Sequence, residues 1–145
     1  MFYGEFLHNL DKKSRLIIPA RFRPSITDNG IEKLYVTRGL DKCLFIFTDE
    51  EWAKQENKFN AMPFTKKQVR QFKRMFFSGA SETSPDKQWR ILLPEYLKEY
   101  AGLSRNVMVI GVGNRIEIWD KEKWYEYYEG SKGDYENIAE DLMDV

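Results

Sequence analysis

The chain has 145 residues, 42% hydrophobic and 15% aromatic, and its 23 Lys and Arg balance 23 Asp and Glu for a formal net charge of +0. That length fits one domain or two very small ones, and with no long apolar run it reads as a soluble globular protein without a membrane span. The single cysteine, Cys43, excludes an internal disulfide or a cysteine-rich zinc site, and it reads as a buried strand residue. The opening MFYGEFLHNLDKK lacks a charged n-region and an apolar h-region, so no secretion signal is expected. Charge is unevenly spread. Residues 1–90 hold 17 Lys and Arg against 11 Asp and Glu, a balance of +6, and residues 91–145 hold 6 against 12, a balance of −6. Such asymmetry suits either a polyanionic partner for the first part or two faces that attract one another within an assembly.

In chain order, FYGEFLHNL (2–10) mixes alternation with aromatic content and reads as a strand. Asp11-Lys12-Lys13-Ser14 makes a tight polar turn, because Asp and Ser side chains bond turn amides well. Arg15-Leu16-Ile17-Ile18 follows as a strand whose consecutive aliphatics imply burial on both faces. Pro19 ends that ladder and opens a short helix, Ala20 to about Ile26. Leu34–Thr37 and Leu44–Phe47 form a second strand pair, and Thr48 or Asp49 caps a helix through Trp52. In TKKQVRQFKRMFF (65–77), Val69, Phe72 and Phe76 share one helical face, and Lys66, Lys67, Arg70, Lys73 and Arg74 cover the others. That basic face suits solvent, a subunit contact or phosphate. Strands are then expected at Gly79–Thr83, Arg90–Leu93, Val107–Gly111 and Arg115–Trp119. Pro94 opens a short helix, and Asp120 caps a longer one with Trp124, Tyr127 and Tyr128 on its apolar side. The tail from Lys132 is acidic and polar, a loosely held helix.

The order repeats because the sequence does. DKKSRLIIP (11–19) returns as DKQWRILLP (86–94) at an offset of 75, and Gly4 answers to Gly79. LFIFTDEEW (44–52) matches IEIWDKEKW (116–124) at an offset of 72, the difference falling where TDNG (27–30) lengthens a loop. The chain is therefore an internal duplication. It divides into a first repeat (1–52), a connecting helical segment (53–78), a second repeat (79–124) and a C-terminal helix and tail (125–145). Ile17 and Leu92, each central in its aliphatic strand, are expected to be buried counterparts.

Chemistry is scarce. His8 is the only histidine, so nucleophile–histidine arrangements lack material, and its alternating strand makes it structural. Gly111-Val112-Gly113 lacks the third glycine and the Lys-Ser/Thr of a phosphate loop. Glu50, Glu51 and Glu122 fall in helix first turns, where they favour the dipole. No catalytic residue, metal site, cofactor or small-molecule substrate is expected. What remains is the pair of Asp-x-x-x-Arg turns, Asp11 to Arg15 and Asp86 to Arg90. One reading is a hairpin held by a surface salt bridge worth well under about 1 kcal/mol. The other has Lys12, Lys13 and Arg15 projecting toward DNA, with Arg21 and Arg23 extending the patch, since an arginine fork can bind guanine O6 and N7 together.

The stretch GEFLHNLDKKSRLIIPARFR resembles the N-terminal repeat of the MraZ family, and GASETSPDKQWRILLPEYL with VMVIGVGNRIEIWDKEKW resembles its C-terminal repeat. The resemblance covers nearly the whole chain. It implies a mostly β fold with peripheral helices, two AbrB-like (SpoVT-AbrB) repeats forming one swapped-hairpin β-barrel. It also implies ring-shaped homo-oligomers, and sequence-specific binding to double-stranded promoter repeats upstream of the division and cell-wall gene cluster. The protein would then be a cytoplasmic, nucleoid-associated transcriptional regulator with no membrane partner. On that basis Lys12, Lys13, Arg15, Arg21, Arg23, Lys87 and Arg90 are candidate DNA contacts, and Asp11 and Asp86 structural motif residues. The family usually has Gly just before the motif Arg, whereas this chain has Ser14 and Trp89. If that position needs φ > 0, Trp is costlier there than Ser, so the second turn is expected to be reshaped, with Trp89 packing instead of presenting contacts. Carry-over to Lys12, Lys13 and Arg15 is accordingly firmer than to Lys87 and Arg90. Two rival classes stand beside this reading: a ring-forming protein-interaction scaffold with Trp52, Trp124 and their neighbours as contact surface, and a small hydrolase using a carboxylate pair.

Overall fold

Alternation along the chain shapes the first strand. In the computed structural model, which describes residues 1–27 and 33–143, β1 (Phe2–Asn9) buries Phe2, half-buries Phe6 and His8, and exposes Tyr3, Glu5 and Leu7. Residues 28–30 of the expected longer loop lie outside the described residues. The first copy continues with β2 (Arg15–Ile17), a 3₁₀ turn (Ala20–Phe22) opened by Pro19, α1 (Arg23–Thr27), β3 (Leu34–Arg38) and β4 (Leu44–Thr48). Next come α2 (Asp49–Asn60), longer than the helix expected through Trp52, and α3 (Lys67–Ser78). The Thr48 hydroxyl accepts the Glu51 amide at 3.3 Å, and Asp49, Glu50 and Glu51 complement the helix dipole. The second copy runs β5 (Ser81–Thr83), β6 (Arg90–Leu92), α4 (Glu95–Ala101), β7 (Asn106–Gly113), β8 (Ile116–Asp120), α5 (Lys121–Ser131) and, after a 3₁₀ turn, α6 (Tyr135–Met143).

Six strands form one antiparallel sheet in the order β1-β7-β8-β4-β3-β5, and β2 pairs with β6 in a separate two-stranded ribbon. The hydrogen-bonded ladders leave β1 and β5 as sheet edges, so no closed barrel is present among the described residues. The order reads the same from either end once each strand is exchanged for its counterpart in the other copy. β1 pairs with β7 and β5 with β3, so each copy lends its first strand to the other copy's sheet. The axis relating the copies passes through two places. In the sheet Phe45 lies opposite Glu117, and in the ribbon Leu16 lies opposite Ile91. Gly111 allows the crossing of β1, because a Cβ there would run into the Tyr3 amide and the Phe2 carbonyl carbon.

One core fills the space between sheet and ribbon: Leu16, Ile18, Ile91 and Leu93 from the ribbon region meet Val36, Ile46, Val109 and Ile118 from the sheet. A second lies on the other sheet face under α2 and α3, where Tyr35, Trp52 and Phe76 stack at 5.0 and 5.5 Å. Thr37 and Arg38 bond the Phe76 and Met75 carbonyls at 2.6 and 2.8 Å, satisfying the C-terminal turn of α3. Among the described residues no helix is long and apolar enough to cross a membrane.

The expectation that the aliphatic strands are buried on both faces is wrong. Leu16 and Ile91 are buried, but Ile17 is 45% exposed and Leu92 56%. The reason is period: the ribbon lies over the core on one side only, so alternate residues point outward. Leu16→Ala should therefore cost roughly 2–5 kcal/mol, as truncations of buried leucine do. Ile17→Ala, on the outer face, should stay within about 0.5 kcal/mol of the parent. Chemical denaturation of the two variants checks the assignment, and equal losses would contradict it.

Candidate nucleic-acid interface

Both Asp-x-x-x-Arg turns are built alike. Asp11 Oδ1 accepts the backbone N–H groups of Lys13 and Arg15, each at 2.9 Å, and Oδ2 accepts Arg15 Nε at 2.7 Å. Asp86 Oδ1 accepts the amides of Gln88 and Arg90 at 2.9 Å, and Oδ2 accepts Arg90 Nε at 2.7 Å. In each turn the residue before Arg is left-handed, Ser14 at φ 61 and Trp89 at φ 60. The second turn is thus not reshaped. Trp89 does pack, half-buried against the core, with the Arg23 guanidinium 5.6 Å from its ring centroid. Its side chain leaves the turn without distorting it. Across the pseudo-axis Lys98 Nζ donates to Ser14 Oγ at 2.7 Å, so each copy braces the strained residue of the other.

The ribbon then orients the arginines. Arg15 lies opposite Leu92 and Ile17 opposite Arg90, flanking the inward Leu16–Ile91 pair. Residues directly opposite share a face, so Arg15, Ile17, Arg90 and Leu92 form one outward square, arginines on one diagonal and aliphatics on the other. Both arginine side chains are 28% exposed, and each is held only through Nε among the described residues, leaving the Nη groups to donate. The ribbon is itself supported: the Ile17 carbonyl accepts His8 Nδ1 at 2.9 Å, which fixes that nitrogen as the protonated one.

The remaining candidates are dispersed. Lys12, Lys13 and Lys87 are exposed at the turns, and Arg21 is exposed beside β1. Arg23 is half-buried, its Nε donating to the Ile18 carbonyl at 3.1 Å while its guanidinium covers Trp89. Sequence reasoning missed Lys98 and Arg105. They line a groove of ≈ 520 Å³ beside the first turn with Leu10, Asp11, Lys12, Leu103 and Ser104. Only the repeat alignment could have flagged Arg105: it stands one residue before β7 as Lys33 stands before β3. Lys33 is engaged with Glu82 at 3.0 Å. No cluster of metal-ligating side chains occurs among the described residues. Burial pushes the Cys43 thiol well above its usual range, which disfavours the thiolate.

Compared with protein-family models, the chain matches one twice, over residues 1–75 and 76–145; its description reads "MraZ protein, putative antitoxin-like". The two matches together take in both halves of the duplication.

The turn carboxylates carry a pH signature. The backbone N–H of Arg15 foremost, then its side chain and the Lys13 amide, hold Asp11 below its ordinary value, and Arg90 and Gln88 do the same for Asp86. A carboxyl group depressed on folding stabilises the native state above its unfolded value, and that contribution is lost as pH falls through the folded value. The protein should therefore lose stability below about pH 4. The double variant Asp11→Asn, Asp86→Asn should show a smaller loss over that interval. Thermal melts of both proteins from neutral pH downward give the comparison, and parallel curves would count against the turns as the source.

Proposed function

The chain belongs to the MraZ family, and on that premise we propose that it is a sequence-specific DNA-binding transcriptional regulator whose reading element is the β2–β6 ribbon. One observation carries this: two outward arginines on a two-stranded ribbon, each clasped by its own turn carboxylate through Nε with its Nη groups left to donate. The major groove admits a two-stranded ribbon, and guanine O6 and N7 accept an arginine fork there. The carboxylate clasp supplies preorganisation, so little side-chain entropy is lost on binding. Arg15 and Arg90 read bases in this scheme. Lys12, Lys13, Arg21, Lys87 and Arg105 contact phosphates, and Arg23 positions the second turn through Trp89.

The same reading takes the sheet and ribbon, which share one core, as the swapped-hairpin barrel implied by the resemblance. It also takes the working species as a ring-shaped homo-oligomer on promoter repeats in the cytoplasmic nucleoid. A chain of +0 net charge has few cations to spare, so affinity is supplied by several ribbons acting through effective concentration. The scaffold alternative is weakened at Trp52, one of the residues it names, which is buried inside the chain against Phe76 of α3.

Because the two turns share one geometry, Arg15→Ala and Arg90→Ala should each abolish selective binding, at roughly 1–3 kcal/mol per lost bidentate contact per chain. Lys13→Ala should weaken binding evenly across sequences and flatten the salt slope. The test is a salt-dependent titration against promoter and random duplexes, with oligomer size followed in parallel. Selectivity retained in both arginine variants would overturn the assignment. A second titration compares one DNA repeat with several correctly spaced repeats. Tighter binding to the array is expected, and equal affinities would contradict reading by an oligomer.

A further inference from the structure

The outward square leaves Ile17 and Leu92 unexplained. Both are β-strand aliphatics with about half their surface in solvent, on the side of the ribbon away from the core. Each sits beside one arginine across the ladder and the other along its own strand. Directly opposite side chains are about 5 Å apart, and positions two along a strand are about 7 Å apart, near the rise of two base pairs. An apolar group that close to two base-reading arginines meets the same groove floor. The one apolar feature there is the thymine 5-methyl group. Resting on the DNA-reading proposal above, we propose that Ile17 and Leu92 are specificity-determining residues that contact thymine methyls within about two base pairs of the guanines bound by Arg15 and Arg90.

The pairing of chemistries supports nucleic acid as the occupant of this patch. A protein partner would have to supply two acidic groups on one diagonal and two apolar ones on the other within a patch two residues long. The edge of a guanine–thymine stretch supplies acceptors and methyls at that spacing already. Hydrogen bonds from arginine do not register the methyl, so the aliphatics add discrimination that the arginines lack.

The probe is a duplex selected by the parent protein from a random library, then remade with each thymine singly replaced by uracil. Uracil removes the methyl and keeps every hydrogen-bonding group. A substitution at a contacted thymine should weaken binding about three- to fourfold, the effect of re-exposing one methyl-sized apolar group. In the double variant Ile17→Ala, Leu92→Ala, the thymine and uracil duplexes should bind equally while guanine dependence persists. Its melting curve serves as the folding control, since neither side chain is in the core. Indifference of the parent to uracil at every position would overturn the proposal and leave the regulator reading standing. So would a double variant that keeps its thymine preference, or one that loses assembly and nothing else, which would assign the patch to a second copy. A parent that selects no sequence from the library would sink both readings.

Discussion

Leu16 against Ile91 is the contact on which the outward arginine face depends, because it lies on the axis between the copies and pins a ladder of three residues per strand. An isolated two-stranded ribbon is marginal in water. This one is held from beneath: Leu16, Ile18, Ile91 and Leu93 are fully buried, and the backbone bonds Ile18 N–H to Trp89 and Leu93 N–H to Ser14 extend the pairing at both ends. Once the inward pair is fixed, alternation leaves Arg15 and Arg90 no choice of face. A one-residue slip would bury both arginines and expose Leu16 and Ile91, so core packing enforces this register.

The turns show how a local cost is offset by neighbours. A left-handed L-residue costs roughly 1–2 kcal/mol, and the chain has one in each turn where glycine would be free of that cost. Against it stand the two amide bonds to each Asp Oδ1 and the charge-assisted bond to each arginine. Cross-copy contacts add to these: Lys98 on Ser14 and Arg23 on Trp89. Lys98 and Arg23 themselves are counterparts at an offset of 75. Both copies therefore carry a cation at that position, on a hydroxyl in one turn and on an indole in the other. This is why a tryptophan, steeply disfavoured there on conformational grounds, leaves the turn geometry intact.

Much of this was legible in the sequence, and the failures have a common cause. The sequence pattern located every strand among the described residues, and the Asp and Arg spacing identified both turns, because those signals are local. Exchange of β1 and β5 between copies was not legible from spacing, since antiparallel partners far apart in sequence leave no periodic trace; only the family resemblance implied it. Three consecutive aliphatics read as two-sided burial, yet the second face of Ile17 and Leu92 faces outward for want of a covering element. The reshaping expected at Trp89 failed because conformational preference was weighed without the packing that offsets it. Lys98 and Arg105 carry no motif and come to the site only through the fold.

Equal turns do not make equal surroundings. The first offers Lys12 and Lys13 at its tip with Arg105 in the adjoining groove, where Lys98 is already engaged by Ser14 and Glu95. The second has Lys87 and Gln88; the counterpart of Lys98, Arg23, covers Trp89, and that of Arg105, Lys33, is spent on Glu82. The ribbon is thus two-fold in shape but polar in charge. On the DNA-reading proposal, shape complementarity alone would let the ribbon sit on a site in either direction. The more cationic end would then break the tie, because phosphate contacts would favour one orientation at no cost to the base contacts. A reader that distinguishes direction is suited to head-to-tail repeats, where every site must be met the same way round. On that proposal the duplication would supply the symmetric geometry, and its divergence in charge the polarity suited to such an array.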